Sequence, residues 1–498
     1  MALVTGPVLG FRGVRAGRYE VGALVVADAD APPELTWEAP AEAAPPVLLA
    51  RRGRLAVWRF DAAVAQGAAD RTVTYTAAGE THRLTVPAAG RAPRIAYASC
   101  NGFSTQKAMK NVRDTHALWK VMAARHAERP YHLLLMGGDQ VYADSLWETL
   151  PALQRWSALS YDLGNRAPFR PRLAAQVRDY YFDLYARRWI HPEMRPLLAS
   201  IPTVMMWDDH DIVDGWGSYP PERQSCPVFQ GIFEAADEHF GLFQRQESGR
   251  TSPASGLAPE HGWSAGYHFG ELALLVLDLR SERTDAQVLS SAHWDRVYAW
   301  LDGLTGEHSP RHLMVMASIP LIHPGFAAIE RALGVLPGNQ ELEDDLRDHW
   351  TTRPHRAERL RLIHRLLGFA EREKTRVTIV SGDVHVAALG YLESCREEPR
   401  SNAAVINQLT SSGIVHPGPA ATLLFALELL LPTGEEVDRG ITAEMTRFPG
   451  TDRRYIGTRN WLSLEPDDPT ASPCGRYWAN FIVEGEPVPF TKVIHPVE

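Results

Sequence analysis

Four short apolar runs in this chain end on carboxylates, imidazoles, a phenol or a thiol. Ile95-Ala96-Tyr97-Ala98 runs into Ser99-Cys100, and Leu133-Leu134-Leu135-Met136 into Gly137-Gly138-Asp139-Gln140-Val141-Tyr142. Thr203-Val204-Met205-Met206 runs into Trp207-Asp208-Asp209-His210-Asp211, and Val377-Thr378-Ile379-Val380 into Ser381-Gly382-Asp383-Val384-His385. Runs this short, apolar at nearly every position, predict strands buried on both faces. Residues 272–278 and 312–317 add two more strands of the same kind. Between them, 107–128 and 357–374 show the spacing of amphipathic helices, 151–195 reads as a helical insertion rich in aromatics and arginines, and 419–431 as a further helix between Pro419 and Pro432. Strands alternating with helices predict an α/β fold. In open α/β sheets, sites gather beyond the carboxyl ends of the strands, where all four polar landings lie.

Residues 1–90 carry a different pattern. Alternating runs such as 19–26 and 55–60 sit between turns rich in Pro, Gly and Ala, and 72–76 with 82–86 reads as a hairpin. Short strands at this spacing predict a small N-terminal β-sandwich domain. It holds no catalytic constellation, so its expected role is packing or orienting substrate. Residues 87–93 read as the linker, and 91–498 as the catalytic domain. A chain of 498 residues is long enough for two such units.

Composition narrows the function classes. Hydrophobic residues make up 45% and charged residues 22%, ordinary for a soluble globular protein. The net charge of −9 leaves no general basic footprint for nucleic acid or anionic lipid. The four cysteines, Cys100, Cys226, Cys395 and Cys474, are too widely and irregularly spaced for a disulfide framework or a zinc ribbon. The last three are expected to be small core residues. The first residues lack a charged segment followed by an apolar run, so the chain as given is expected in the cytoplasm. The longest apolar stretch, 420–431, contains Thr422 and Glu428 and is too short to span a bilayer.

The strand ends hold the chemistry. Asp383 and His385 stand two apart, which in an extended segment points both side chains to one side. Three carboxylates and a histidine crowd into 208–211, costly if buried unless a cation compensates them. Asp139 offers a carboxylate able to bridge two ions, with the Tyr142 phenol three residues on and Asp144 as a competing ligand. Phenolate and thiolate, here Tyr142 and Cys100, both suit a ferric ion. Taken singly, each has a plainer reading as a capping Asp, a core Tyr or a solvated acidic loop.

Together the motifs Ala98-Ser99-Cys100, Gly138-Asp139-x-x-Tyr142, 207–211 and 381–385, with 277–283 and 409–413, resemble the alkaline phosphatase D (PhoD-type) family of metallophosphoesterases across about residues 94–415. The resemblance implies a four-layer α/β/β/α metallophosphatase sandwich with Fe3+ and Ca2+; Mn2+, Mg2+ or Zn2+ are open alternatives at the second position. It implies that Cys100, Tyr142 and His385 hold the iron, that Asp139 bridges, that Asp209 and Asp383 hold calcium, and that His210 is a general acid or contacts phosphate. The family is typically exported, whereas this chain shows no leader, and Asp211 stands where the family's acidic block usually ends in Glu. The implied activity is hydrolysis of phosphodiesters, and of phosphomonoesters, by a metal-activated water. The competing expectations are a nucleotide phosphodiesterase or nuclease on the same scaffold, and a binding protein with a vacant metal site.

Overall fold

The computed structural model describes residues 3–28, 30–105, 109–110, 112–249, 256–257, 260–322, 350, 352–382, 385–396, 401–430, 432–468 and 475–498. The chain is a mixed α/β protein built on an eleven-stranded sheet, a nine-stranded sheet and a three-stranded sheet. In the largest sheet Ile95–Ala98, Leu133–Gly137 and Thr203–Met206 run parallel, with Met136 opposite Ala98 and Gly137 opposite Met206. Level strand ends place Cys100, Asp139 and Asp208, each two residues beyond its strand, on one rim. In the second sheet Leu272–Leu277, His312–Ala317, Arg376–Ser381 and Val405–Thr410 are also parallel, with Ser381 opposite Thr410.

Period-two alternation sends the side chains of each strand into two different cores. Ile95, Tyr97, Leu133 and Leu135 join a core shared with Leu274, Val276, Met314 and Val380 of the second sheet. Their neighbours Ala96, Ala98, Leu134 and Met136 pack with Leu118, Trp119, Tyr185 and Phe243 from helices. On the second sheet, Leu275, Val315, Val377 and Ile379 meet Trp294, Leu301, Leu362 and Leu366, again from helices. The continuous apolar runs are thus buried on both faces, as expected.

The boundary expected at 90/91 falls between the strands Glu80–Val86 and Ile95–Ala98. Strand pairing crosses it, because Leu3–Arg15 pairs in parallel with Thr203–Met206 and carries Arg18–Asp28 and Leu55–Ala65 onto the largest sheet. Arg71–Ala77 and Glu80–Val86 form the expected hairpin, turned by Ala78 and Gly79 at φ 49 and 86°. The other edge of the largest sheet is closed by Asn460–Pro466, Tyr477–Val483 and Phe490–Ile494. The apolar pattern had not singled out these strands.

The insertion folds as helices, the longest being Pro171–Arg188, and the helix near 419–431 spans Ala421–Leu430. Arg353–Glu373 starts four residues before the expected 357. Ala117–Glu128 starts ten residues later than 107. Ahead of it, Arg459 takes the carbonyls of Asp114 and Thr115 at 2.7 and 2.9 Å, fixing that stretch as a turn. Cys226 is buried and Cys395 only half-buried, while Cys474 and Asp383 lie outside the described residues. Among the described residues no helix is long and apolar enough to cross a membrane.

Candidate metal centre

The strand-end loops leave their sheets under backbone strain. Among the described residues seven non-glycine residues have positive φ, and three of them are Cys100 (51°), Asp139 (54°) and His385 (52°). Left-handed backbone at non-glycine residues is costly, and its concentration at one rim marks a site held by its surroundings. Gly138, at φ 108°, admits no side chain here, since a Cβ would lie 2.8 Å from that of Asp208. The loop after Val405–Thr410 ties the rim together: Ile414 N donates to Ser99 O, His416 N to Cys100 O, and His385 N to Ser412 Oγ.

The expected residues converge. Asp139, Asp209 and His210 are buried, with one ligand atom of each lying within 4.8 Å of the others. Cys100 Sγ stands 3.4 Å from Asp139 Oδ2. The Tyr142 ring stacks on His210 at 4.5 Å. His385 reaches the cluster through His416, which stacks on it at 3.8 Å and lies parallel to Tyr142 at 5.9 Å. Asp383, two residues before His385, lies outside the described residues.

The four carboxylates of 139 and 208–211 divide their labour. Asp211 accepts from the backbone amides of Asp208, Gln140 and Val141 at 2.8–2.9 Å, clamping two loops together. Asp208 pairs with the fully buried Arg280, whose guanidinium also reaches Asp209 at 3.3 Å. Asp209 takes the Gly215 amide at 2.7 Å. Asp139 keeps Oδ1 buried with no hydrogen-bond partner among the described residues.

Electrostatics separates the groups further. Burial pushes the Asp139 carboxyl well up; His210 opposes this, while Asp208 and Asp209 add to it. Burial opposes charge on His210, but Asp144, at 2.8 Å from Nδ1, and then Asp209 outweigh it and hold the imidazole protonated. Burial, with His416 and His210 nearby, drives His385 well below the usual histidine range and keeps it neutral. His416 is lowered to about 4, by burial first and His210 second. Its Nδ1 lies 2.8 Å from the Pro417 carbonyl and must donate, leaving a lone pair on Nε2.

The donor set fits a metal. Asp139 Oδ1, Tyr142 Oη, His385 Nδ1 and His416 Nε2 are all buried without a hydrogen-bond partner among the described residues. Buried polar atoms are nearly always satisfied, so such a cluster of orphans at one rim calls for a cation. Carboxylate, phenol, thiol and imidazole together suit a mixed hard and borderline pair of ions. Sequence reasoning did not single out His416. Its only signal was its place three residues beyond Ser411-Ser412-Gly413. The partnership of Asp144 with His210 had none, because Asp144 read as a rival ligand.

The sequence model of a family described as "PhoD related phosphatase" matches residues 72–337 and 333–432. The uncharacterized protein YGR266W of Saccharomyces cerevisiae is 27% identical, covering 82% of this chain and 70% of its own length. The solved structure of PhoD superposes with a TM-score of 0.54 at 14% identity, over 97% of this chain and 88% of that one.

Proposed function

Because the chain belongs to the family of PhoD related phosphatases, we propose that it is a metal-dependent phosphoesterase that hydrolyses phosphodiesters, and also phosphomonoesters, on a four-layer α/β/β/α sandwich. The observation that carries this reading is the convergence of Asp139, Asp209 and His210 beside the buried orphan atoms of Tyr142, His385 and His416. Cys100, Tyr142 and His385 would hold Fe3+, Asp139 would bridge, and Asp209 with Asp383 would hold Ca2+, whose preference is for oxygen. When bound, such ions supply Lewis-acid polarisation of a phosphoryl oxygen and acidify a water.

The remaining work belongs to side chains. Asp144 accepts from His210 Nδ1 and holds the ring protonated, so that Nε2 presents a proton to the leaving oxygen. His385 stays neutral, the form in which an imidazole can ligate. Arg280 balances Asp208 and part of Asp209, limiting the carboxylate charge the ions must meet. Asp211, spent on three backbone amides, fixes the spacing between the Asp139 and Asp209 loops.

The test is elemental analysis with an aryl phosphodiester assay in added calcium, wild type beside Asp139→Ala. We expect iron and diesterase activity in the wild type and loss of both in the variant. Equal activity in the two proteins would remove Asp139 from the site and this reading with it.

A further inference from the structure

The long insertion helix Pro171–Arg188 ends on a guanidinium at the metal centre. A Cβ at Gly102 would meet Tyr142 Cδ2 at 2.3 Å and Arg188 Nη2 at 2.9 Å, so ring and guanidinium meet over one glycine. Only a residue without a side chain allows that approach.

Arg188 is half-buried, and among the described residues its side chain makes no hydrogen bond and no ion pair. Its neighbours on the same helix are spent differently: Arg178 pairs with Glu238, and Arg187 with Asp183. Several charged groups in and beside the neighbouring cleft are paired. His191 faces Glu193 at 2.7 Å, Lys120 faces Asp114 at 2.8 Å, and Arg459 binds Glu484. Burial lowers Arg188, with Tyr142 and then Asp211 opposing that. A cation drawn out of water without a partner costs stability unless an anion arrives.

Arg188 also acts electrostatically on a residue of the cleft beside the metal centre. His116 and His191, whose rings stack at 3.3 Å, line an 850 Å³ cleft with Pro417, Gly418 and Arg459. Pro417 follows His416 of the metal centre directly, and the Arg188 charge is felt at His116. Arg188 thus meets the Tyr142 ring over Gly102 and also influences His116 of the cleft.

We propose that Arg188 is a phosphate-binding residue: its guanidinium takes two non-bridging phosphoryl oxygens of the substrate and releases the same contact with product phosphate. The planar fork of arginine suits two oxygens of one phosphoryl group, which an ammonium cannot match. The proposal rests on the phosphoesterase reading above. It leaves bond cleavage to the metal centre and assigns Arg188 to anion capture.

The experiment compares wild type, Arg188→Gln and Arg188→Lys at equal metal content. Inorganic phosphate binding is followed by calorimetry, and KM and kcat on an aryl phosphodiester in parallel. We expect at least a tenfold loss of phosphate affinity in Arg188→Gln, a matching rise in KM, partial recovery in Arg188→Lys, and unchanged metal. Phosphate bound equally by wild type and Arg188→Gln overturns the proposal, even if the variant is less stable, since packing against Tyr142 alone gives that result. If Arg188→Gln does not fold, Arg188→Lys decides: unchanged affinity and KM in it overturn the bidentate contact. Phosphate binding that depends on Arg188 in a wild type that cleaves no ester sinks the phosphoesterase reading and leaves this one standing.

Discussion

His210 is pulled two ways by its surroundings. Its nearness to Asp139 and Asp209 suits a ligand, while the Asp144 carboxylate on Nδ1 favours a charged ring, which cannot ligate. Asp144 and Asp209 outweigh burial, which favours the proposed role of His210 in proton donation. His210→Asn is then expected to keep iron and calcium while lowering kcat about 10²–10⁴-fold, the usual worth of general acid catalysis. Turnover measured beside metal content separates this from a ligand role, in which metal and activity fall together. Most of these residues were legible in the sequence, because carboxylates and histidines massed at strand ends are hard to explain otherwise. Their division of labour was not. Asp211 and Asp208 look the same as Asp209 in the sequence, yet backbone amides claim one and Arg280 the next. Those partners come from segments about 70 residues away.

At the scale of elements, buried carboxylates also do plain structural work. Glu358, in the helix Arg353–Glu373, accepts from Val288 N, Leu289 N and Trp294 Nε1 at 2.8, 3.0 and 2.6 Å, pinning a loop and the helix Ser291–Asp302 to it. Glu358→Gln turns an amide NH₂ toward those donors and should cost roughly 2–3 kcal/mol, read as a lower urea midpoint with metal content unchanged. The same helix ends on Lys374 at φ 54°, exposed and left-handed. Lys374→Gly should stabilise the protein by about 1 kcal/mol, because glycine adopts that conformation without a Cβ clash. No gain in thermal midpoint would show that the lysine side chain compensates the strain. The helix and strand interiors were readable from periodicity. The start at Ala117 was not, since it depends on Arg459, which lies more than 300 residues away.

Across the whole molecule, burial of histidines far from the rim sets the response to acid. His239 is buried with Nδ1 on the Ala235 carbonyl, and His312 with Nε2 on that of Gly475. Burial lowers both to about 4. Below pH 6.5 the unfolded chain takes up protons that these folded histidines refuse, so stability present at neutral pH drains away as pH falls toward 4. Each contributes up to about 3 kcal/mol across that window. Thermal midpoints should fall between pH 7 and 5, and less in His312→Gln, whose amide keeps the hydrogen bond without a proton to bind. An equal fall in both would remove His312 as a cause.

The sequence by itself determined the parallel strands that carry the site, the rim at their carboxyl ends and most of the candidate ligands. Apolar runs can be buried only on both faces, and polar residues that follow them must emerge at the strand ends. Tertiary structure decided what pairing across long separations decides. It continued the N-terminal strands onto the sheet that carries the site, and brought Asn460–Pro466 to the other edge beside Ile95–Ala98. It seated His416 on His385 and Tyr142, and brought Arg188 over Gly102 with no ion-pair partner among the described residues. A residue's partner depends on which distant backbone folds against it, and local pattern carries no record of that.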